Sequence, residues 1–219
     1  MAHKRKSADS QTSSDGDRQP EVRIIGGHFR GRRLNYHGDP LVRPMKHRTR
    51  ESIFNLVGTG CTGRHAIDLF AGTGALGLEA LSRGADSATF IEKHVPSARI
   101  VEENIRTLEV EDRATLLVTS AFLWGKRDLP QMNAAAGGKP WLVFCSPPYS
   151  FYIDRQDEML DLIHRIQEAA PADSILVAEA EEPFDFDIMR NSQSAAANAF
   201  TWDVRAYHPA VVGIWHSKQ

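Results

Sequence analysis

The sequence predicts an α/β fold: an open, mostly parallel sheet with helices on both faces, preceded by a small N-terminal β-hairpin extension. Three observations carry that expectation. From Arg64 onward, short apolar runs alternate with amphipathic stretches of helical period. A glycine-rich turn, Gly72-Thr-Gly-Ala-Leu-Gly77, separates the first such run from the first such stretch. The alternation then ends in two apolar runs joined only by a short turn.

The elements follow in order. Residues 1–20 hold Met1, Ala2 and Ala8 as their apolar members, too little to offset chain entropy, so a disordered polar tail is expected. Val22–Ile25 and Phe29–Leu34 read as two short strands with glycine turns at Gly26-Gly27 and Gly31. Lys46–Val57 reads as a helix that lays Ile53, Phe54, Leu56 and Val57 on a core and ends at Gly58 and Gly60. His65–Phe70 is a strand, Ala75–Arg83 a helix closed by Gly84, and Ser87–Ile91 a strand. Pro96–Leu108 is a helix whose proline suits a first turn. Thr115–Val118, Trp141–Cys145 and Ile175–Ala178 follow as strands, with a surface loop at Ala134–Gly138 and an amphipathic helix at Asp154–Ala169. Thr201–Tyr207 and Val211–Trp215 are the last two strands, joined around His208-Pro209. The chain thus divides into a tail (1–20), a hairpin-and-helix extension (21–60) and a main domain (61–219).

With 219 residues, 42% of them hydrophobic, the chain is long enough for one domain of ordinary size. No apolar run approaches the roughly 20 residues of a membrane span, and the N-terminus lacks a secretory signal, so a cytoplasmic protein is expected. Cys61 and Cys145 have no CxxC or Cys/His spacing, and the nine histidines form no ligand cluster; no disulfide and no metal are expected. Charge is segregated. Residues 22–50 carry Arg23, Arg30, Arg32, Arg33, Arg43, Lys46, Arg48 and Arg50 against Asp39 alone, attached to an acidic body. Such a segment suits a polyanion; the plainer reading is a solvated face. Interleaved Gly26, Gly27, Gly31, Phe29 and Tyr36 favour the polyanion, since glycine lets backbone approach phosphate and aromatics stack on bases.

Two segments carry chemistry. Asp68 to Gly77 is a strand end, a glycine turn and a helix start, where ligands of open α/β sheets lie. Gly72 to Gly77 satisfies G-x-G-x-x-G, and Glu92 stands where a ribose-binding acid is expected. The motif alone fits a nicotinamide cofactor as well as an adenosyl one. Asp68 favours the second, because its carboxylate suits a cationic amino-acid end and repels a pyrophosphate. The other segment, Ser146-Pro-Pro-Tyr149, directly follows the apolar run Trp141–Cys145. The prolines stiffen the backbone, so Ser146 Oγ and the Pro147 carbonyl are suited to accept both N–H groups of an exocyclic base amine. Such an amine is a poor nucleophile until its lone pair is aimed, and Tyr149 can stack on the extruded base.

Further motifs join these: Arg23-Ile-Ile-Gly-Gly27, Arg30-Gly-Arg32, Arg43-Pro44, Arg48, Arg50-Glu51, Phe54-Asn55, Leu78-Glu-Ala-Leu-Ser-Arg83 and Ile91-Glu92. With them the chain resembles the RsmD-like family of 16S ribosomal RNA guanine-N2 methyltransferases, from Val22 to the C-terminus. The resemblance implies a class I S-adenosylmethionine-dependent methyltransferase fold with a seven-stranded sheet. It implies a cofactor cradled by Asp68, Phe70, Ala71, Gly72, Thr73 and Gly74, with Glu92 on the ribose, Lys93 beside it and adenine near Ser120-Ala121. Arg43, Arg48 and Glu51 would close over the methionine end. Ser146, Pro147, Pro148 and Tyr149 would be catalytic, with Ser146 also near the cofactor. Arg23, Arg30, Arg32, Arg33, Lys46 and Arg50 would meet RNA, either 16S rRNA or an assembling small subunit, and a monomer is expected.

Two positions depart from the family pattern: Ser146 replaces the usual Asp, and Met45 the usual Thr. Adenine-N6 or cytosine-N4 transfer, a nicotinamide dehydrogenase and a non-catalytic RNA-binding relative therefore stay open on sequence. If Ser146 accepts from the amine, turnover at position 146 is expected to follow the order Asp, Ser, Ala, a carboxylate being the stronger acceptor.

Overall fold

The computed structural model describes residues 21–38, 45–189 and 201–218; the expected tail and Arg43 lie outside them. β1 (Val22–Arg23) pairs antiparallel with β2 (Arg33–Leu34), Val22 opposite Leu34. Then comes α1 (His47–Val57), which buries Ile53, Phe54 and Val57.

Seven strands form the main sheet: β3 (His65–Asp68), β4 (Ser87–Ile91), β5 (Ala114–Leu117), β6 (Trp141–Cys145), β7 (Ile175–Glu181), β8 (Asp203–Tyr207) and β9 (Ala210–His216). Their order is β5-β4-β3-β6-β7-β9-β8. β3 to β7 run parallel, and β9 and β8 close the sheet antiparallel. Every residue of β3 and β6 is buried, as central parallel strands covered on both faces require. Alternate residues of β6 serve opposite cores. Leu142 and Phe144 join Ile53, Phe54 and Leu78, whereas Trp141, Val143 and Cys145 join Trp124, Leu162 and Ile163. β8 is the exposed edge, where Arg205 pairs with Asp203.

The covering helices are α2 (Ala75–Ser82), α3 (Val95–Leu108), α4 (Ala121–Arg127), α5 (Leu129–Ala135), α6 (Phe151–Asp154) and α7 (Gln156–Ala169). Among the described residues none is long and apolar enough to cross a membrane. α4 and α5 are not expected from the sequence. They are seven residues each, too short to display a period. What holds them is burial of Trp124, Leu129 and Met132 and a cap in which Ser120 Oγ accepts from Leu123 N at 3.1 Å. β7 also runs to Glu181, beyond its expected end at Ala178, because β9 pairs with it throughout.

The extension is locked onto α2 by a buried charge. Glu79 has no solvent exposure, and its carboxylate accepts Ile25 N and Gly26 N at 2.7 Å each and Arg83 Nε at 2.8 Å. Arg50, 1% exposed, brings its Nε to 4.0 Å from the same carboxylate and donates to the Arg23 carbonyl. Ser82 adds three bonds: its Oγ donates to Gly26 O and accepts Phe29 N, and its carbonyl accepts His28 N. The glycines are needed for this approach. A Cβ at Gly27, whose φ is +74°, would lie 1.9 Å from the Ser82 carbonyl oxygen. Gly26 and Gly27 thus serve packing against α2.

Glu79→Ala should cost about 3–5 kcal/mol in urea unfolding, the range for stranding a buried partner charge, here Arg50. The same variant should be cut faster by trypsin within residues 23–33. A loss under about 1 kcal/mol would mean that apolar packing alone docks the extension.

Candidate functional site

At the end of β3 the chain turns through Phe70-Ala-Gly-Thr-Gly74 into α2, with Gly72 and Gly74 at φ +55° and +77°. Two side chains pin the turn from opposite sides. Glu92, half-buried past β4, accepts Gly72 N through Oε2 and His94 N through Oε1, both at 2.8 Å. Asn104 of α3, fully buried, donates to Thr73 O at 2.9 Å. The Asn104 amide also bonds both backbone groups of Asn35, accepting its N–H at 2.6 Å and donating to its carbonyl at 3.1 Å. The turn and the extension therefore share one rigid anchor.

Asp68 lies beneath this turn, not on its outer side: it is 2% exposed, and Oδ2 accepts Gly77 N at 3.1 Å. This corrects the expectation of a ligand-facing carboxylate. Burial pushes its carboxyl up to about 7, with the Glu92 charge adding to the rise and the N–H groups of Gly77 and Phe70 opposing it.

β6 lies beside β3 with Asp68 opposite Phe144, and Leu69 N donates to the Phe144 carbonyl. That register brings Ser146-Pro-Pro-Tyr149 to the same end of the sheet as the glycine turn. Ser146 and Tyr149 are half-buried, Pro147 buried and Pro148 exposed. The Pro148 carbonyl accepts Phe151 N at 2.9 Å, which closes the segment into α6. Both hydroxyls converge on a residue absent from the sequence reading. Ser146 Oγ donates to Glu179 Oε2, and Tyr149 Oη donates to Glu179 Oε1 at 2.8 Å. Glu179 is 6% exposed on β7. Its one signal in the sequence is an acid inside the otherwise apolar run Ile175–Ala180, a burial that demands partners. Burial and the Glu179 carboxylate raise the Tyr149 phenol well above its ordinary range, so it stays a donor.

Around these, Phe70, Phe122 and Phe151 pack at ring distances of 6.0–6.1 Å. The Arg155 guanidinium sits 4.0 Å over the Phe122 ring, and Lys93 Nζ 5.1 Å over Phe151. Ser120 spends its hydroxyl on the α4 cap beside buried Ala121, with Val118 and Leu123 about half-exposed next to it. On the extension, Lys46, Arg48 and Glu51 are exposed on or just before α1, and Arg30, Arg32 and Arg33 are exposed on the hairpin. Arg32 Nη2 donates to Thr107 O, and Arg23 and Arg33 pair with Glu21. Arg50 is not available to RNA, since its side chain is spent inside the lock on Glu79. Among the described residues no cluster of His, Cys, Asp or Glu has the makings of a metal site.

Comparison with known proteins places this geometry. A family model described as conserved hypothetical protein 95 matches residues 22–195. A Bacillus subtilis protein provisionally named an rRNA methyltransferase is 34% identical over 160 residues, which cover 72% of this chain and 82% of that protein. Ribosomal RNA small subunit methyltransferase D of Escherichia coli is 34% identical over 129 residues, 59% of this chain and 61% of the relative's own length. Among solved structures, a Thermus hypothetical protein shares the fold with a TM-score of 0.66 at 23% identity, covering 89% of this chain and 99% of that one.

The Asp68 carboxyl ionises near 3.8 when unfolded and near 7 when folded. Through that window the unfolded chain releases a proton that the folded chain keeps, so stability falls as pH rises. Asp68→Asn removes this slope. Between about pH 5 and pH 8 the variant should gain on the wild type by up to a few kcal/mol in urea titrations, at about 1.4 kcal/mol per pK unit. A gap that does not change with pH would place the Asp68 titration at its ordinary value.

Proposed function

The chain belongs to the RsmD-like family, described by the conserved hypothetical protein 95 model, and we propose that it transfers a methyl group from S-adenosylmethionine to the exocyclic N2 of a guanine in small-subunit ribosomal RNA. Its sheet order, with a final antiparallel pair, is that of class I methyltransferases. One juxtaposition carries the reading: a pinned glycine turn ends β3, and Ser146-Pro-Pro-Tyr149 ends the adjacent β6. Donor and acceptor sites thereby share one crevice.

The residues present fit the cofactor. Each Glu92 oxygen already holds one backbone N–H and has a second lone pair for a ribose hydroxyl. Val118 and Leu123 offer exposed apolar surface beside Ser120 and Ala121, suited to a purine. Arg43, Arg48 and Glu51 are assigned to the methionine end. When bound, S-adenosylmethionine supplies an electrophilic methyl group on a sulfonium.

The chain's own residues prepare the nucleophile. Ser146 Oγ and the Pro147 carbonyl accept the amine protons, which draws the nitrogen toward a pyramidal geometry and aims its lone pair. Tyr149 covers the base, and Pro148 stiffens the segment. Arg23, Arg30, Arg32, Arg33 and Lys46 are assigned to phosphate, on naked 16S rRNA or an assembling subunit. We assign residues 21–60 to RNA capture and cofactor closure and 61–219 to methyl transfer, in a cytoplasmic protein acting as a monomer without a metal.

Incubating small-subunit rRNA with the purified protein and methyl-labelled S-adenosylmethionine should yield labelled N2-methylguanosine on nucleoside mass spectrometry. Label on adenine N6 or cytosine N4 would reassign the base. Glu92→Ala should weaken cofactor binding roughly ten- to hundredfold by calorimetry, since a bond to a charged acceptor is worth about 1.5–3 kcal/mol. Neutralising Arg30, Arg32 and Arg33 should lower the salt slope of RNA binding by about 0.7–0.9 per lost phosphate contact. An unchanged slope in filter binding would make the basic flank a solvated face.

A further inference from the structure

Position 146 carries a neutral hydroxyl where the acceptor model works best with an anion, yet a carboxylate stands directly behind it. Glu179 on β7 receives the Ser146 hydroxyl proton on Oε2 and the Tyr149 phenol proton on Oε1, and β7 neighbours β6 with Ala178 opposite Cys145. We propose that Glu179 is the positioning carboxylate of the transfer site: it fixes both hydroxyls, turns the Ser146 lone pairs toward the target amine, and takes the proton that the amine loses.

The orientation follows from the hydroxyl's single proton. A serine oxygen has one donor and two acceptor lone pairs. With the proton committed to Glu179, the lone pairs are what remains for an incoming N–H. A carboxylate behind the hydroxyl also polarises it, so that a neutral side chain at 146 accepts more strongly than an isolated serine. Tyr149, bonded through Oη, has the far end of its ring anchored on the same carboxylate.

The proton balance closes without another group. As the nitrogen–carbon bond forms and the sulfur–carbon bond breaks, the amine passes one proton to Ser146 Oγ while the serine proton passes to Glu179 Oε2. The methylated amine, the thioether and the carboxylic acid are then all neutral. Glu179 next loses its proton to solvent. The Glu179 charge acts on both neighbouring phenols, Tyr149 and Tyr152, and helps to keep them protonated. Among the described residues, the groups bonded to the Glu179 carboxylate are the Ser146 and Tyr149 hydroxyls.

This arrangement reverses the sequence-based expectation for Ser146→Asp. In the wild type that substitution sets two carboxylates side by side, where like charges disfavour joint ionisation. It should therefore slow turnover. In a Glu179→Gln background the same substitution supplies the missing anion and should restore turnover.

The proposal rests on methyl transfer to a base amine, and the test separates the two. Single-turnover rates on small-subunit rRNA, with cofactor and RNA affinities and thermal melts alongside, would be measured for the wild type and for Glu179→Gln, Ser146→Ala, Ser146→Asp and the two Glu179→Gln double variants. Glu179→Gln should lower the rate about hundredfold or more with both affinities within about twofold. Ser146→Ala/Glu179→Gln should be no slower than the slower single variant, and Ser146→Asp/Glu179→Gln should recover at least about tenfold. An active wild type with an unaffected Glu179→Gln, or with no recovery in the Asp/Gln variant, overturns the proposal and leaves the proposed function standing. If Glu179→Gln does not fold, Ser146→Asp in the wild-type background decides: a rate equal to or above wild type overturns the proposal. A wild type that methylates no base overturns both.

Discussion

A carboxylate with no access to water, Glu79 in the middle of α2, determines how the N-terminal extension meets the rest of the molecule. Burying it costs several kcal/mol, and the cost is offset only by geometry: two backbone N–H groups of the extension, Arg83, and Arg50 at longer range. Because those two N–H groups belong to adjacent residues, Ile25 and Gly26, the carboxylate ties the extension to α2 at one point of the chain. Arg50 makes the constraint mutual, since its guanidinium is as buried as the carboxylate and ties α1 to the Arg23 carbonyl.

That fixed docking reaches the site through Asn104. One amide bonds Asn35 of the extension on both backbone groups and the Thr73 carbonyl of the glycine turn. The basic flank proposed for RNA and the turn proposed for the cofactor are thus held at one spacing by a fully buried side chain. Glu92 also binds Gly72 N and His94 N, so the segment proposed to meet the cofactor is already tied down by the protein's own groups.

The site itself arises from a topological break. The chain lays β4 and β5 on one side of β3, then returns to place β6 on the other, and the crevice opens where the direction changes. Glycine turn and Ser146-Pro-Pro-Tyr149 flank that break. β7 lies one strand further out and contributes Glu179, which converts two hydroxyls into an ordered pair of donors. An aromatic cluster of Phe70, Phe122 and Phe151, capped by Arg155 and Lys93, packs beside the same strand ends.

By itself the sequence determined the strand and helix alternation, the glycine turn with Glu92, and the segment Ser146 to Tyr149, because each is a local pattern of period, turn chemistry or spacing. The same local reading passed over α4 and α5, whose seven-residue lengths hold through burial of Trp124, Leu129 and Met132 and not through period. It also set Arg50 among RNA contacts and Asp68 against a ligand, since residue type announces charge but not exposure. Only the tertiary structure decided that Arg50 belongs to Glu79, that Asp68 lies beneath its turn, and that Glu179 stands behind Ser146. The reason is physical: the role of a charged side chain is set by which groups share its desolvated volume. In this chain those partners stand 29, 9 and 33 residues away, beyond the reach of any local pattern.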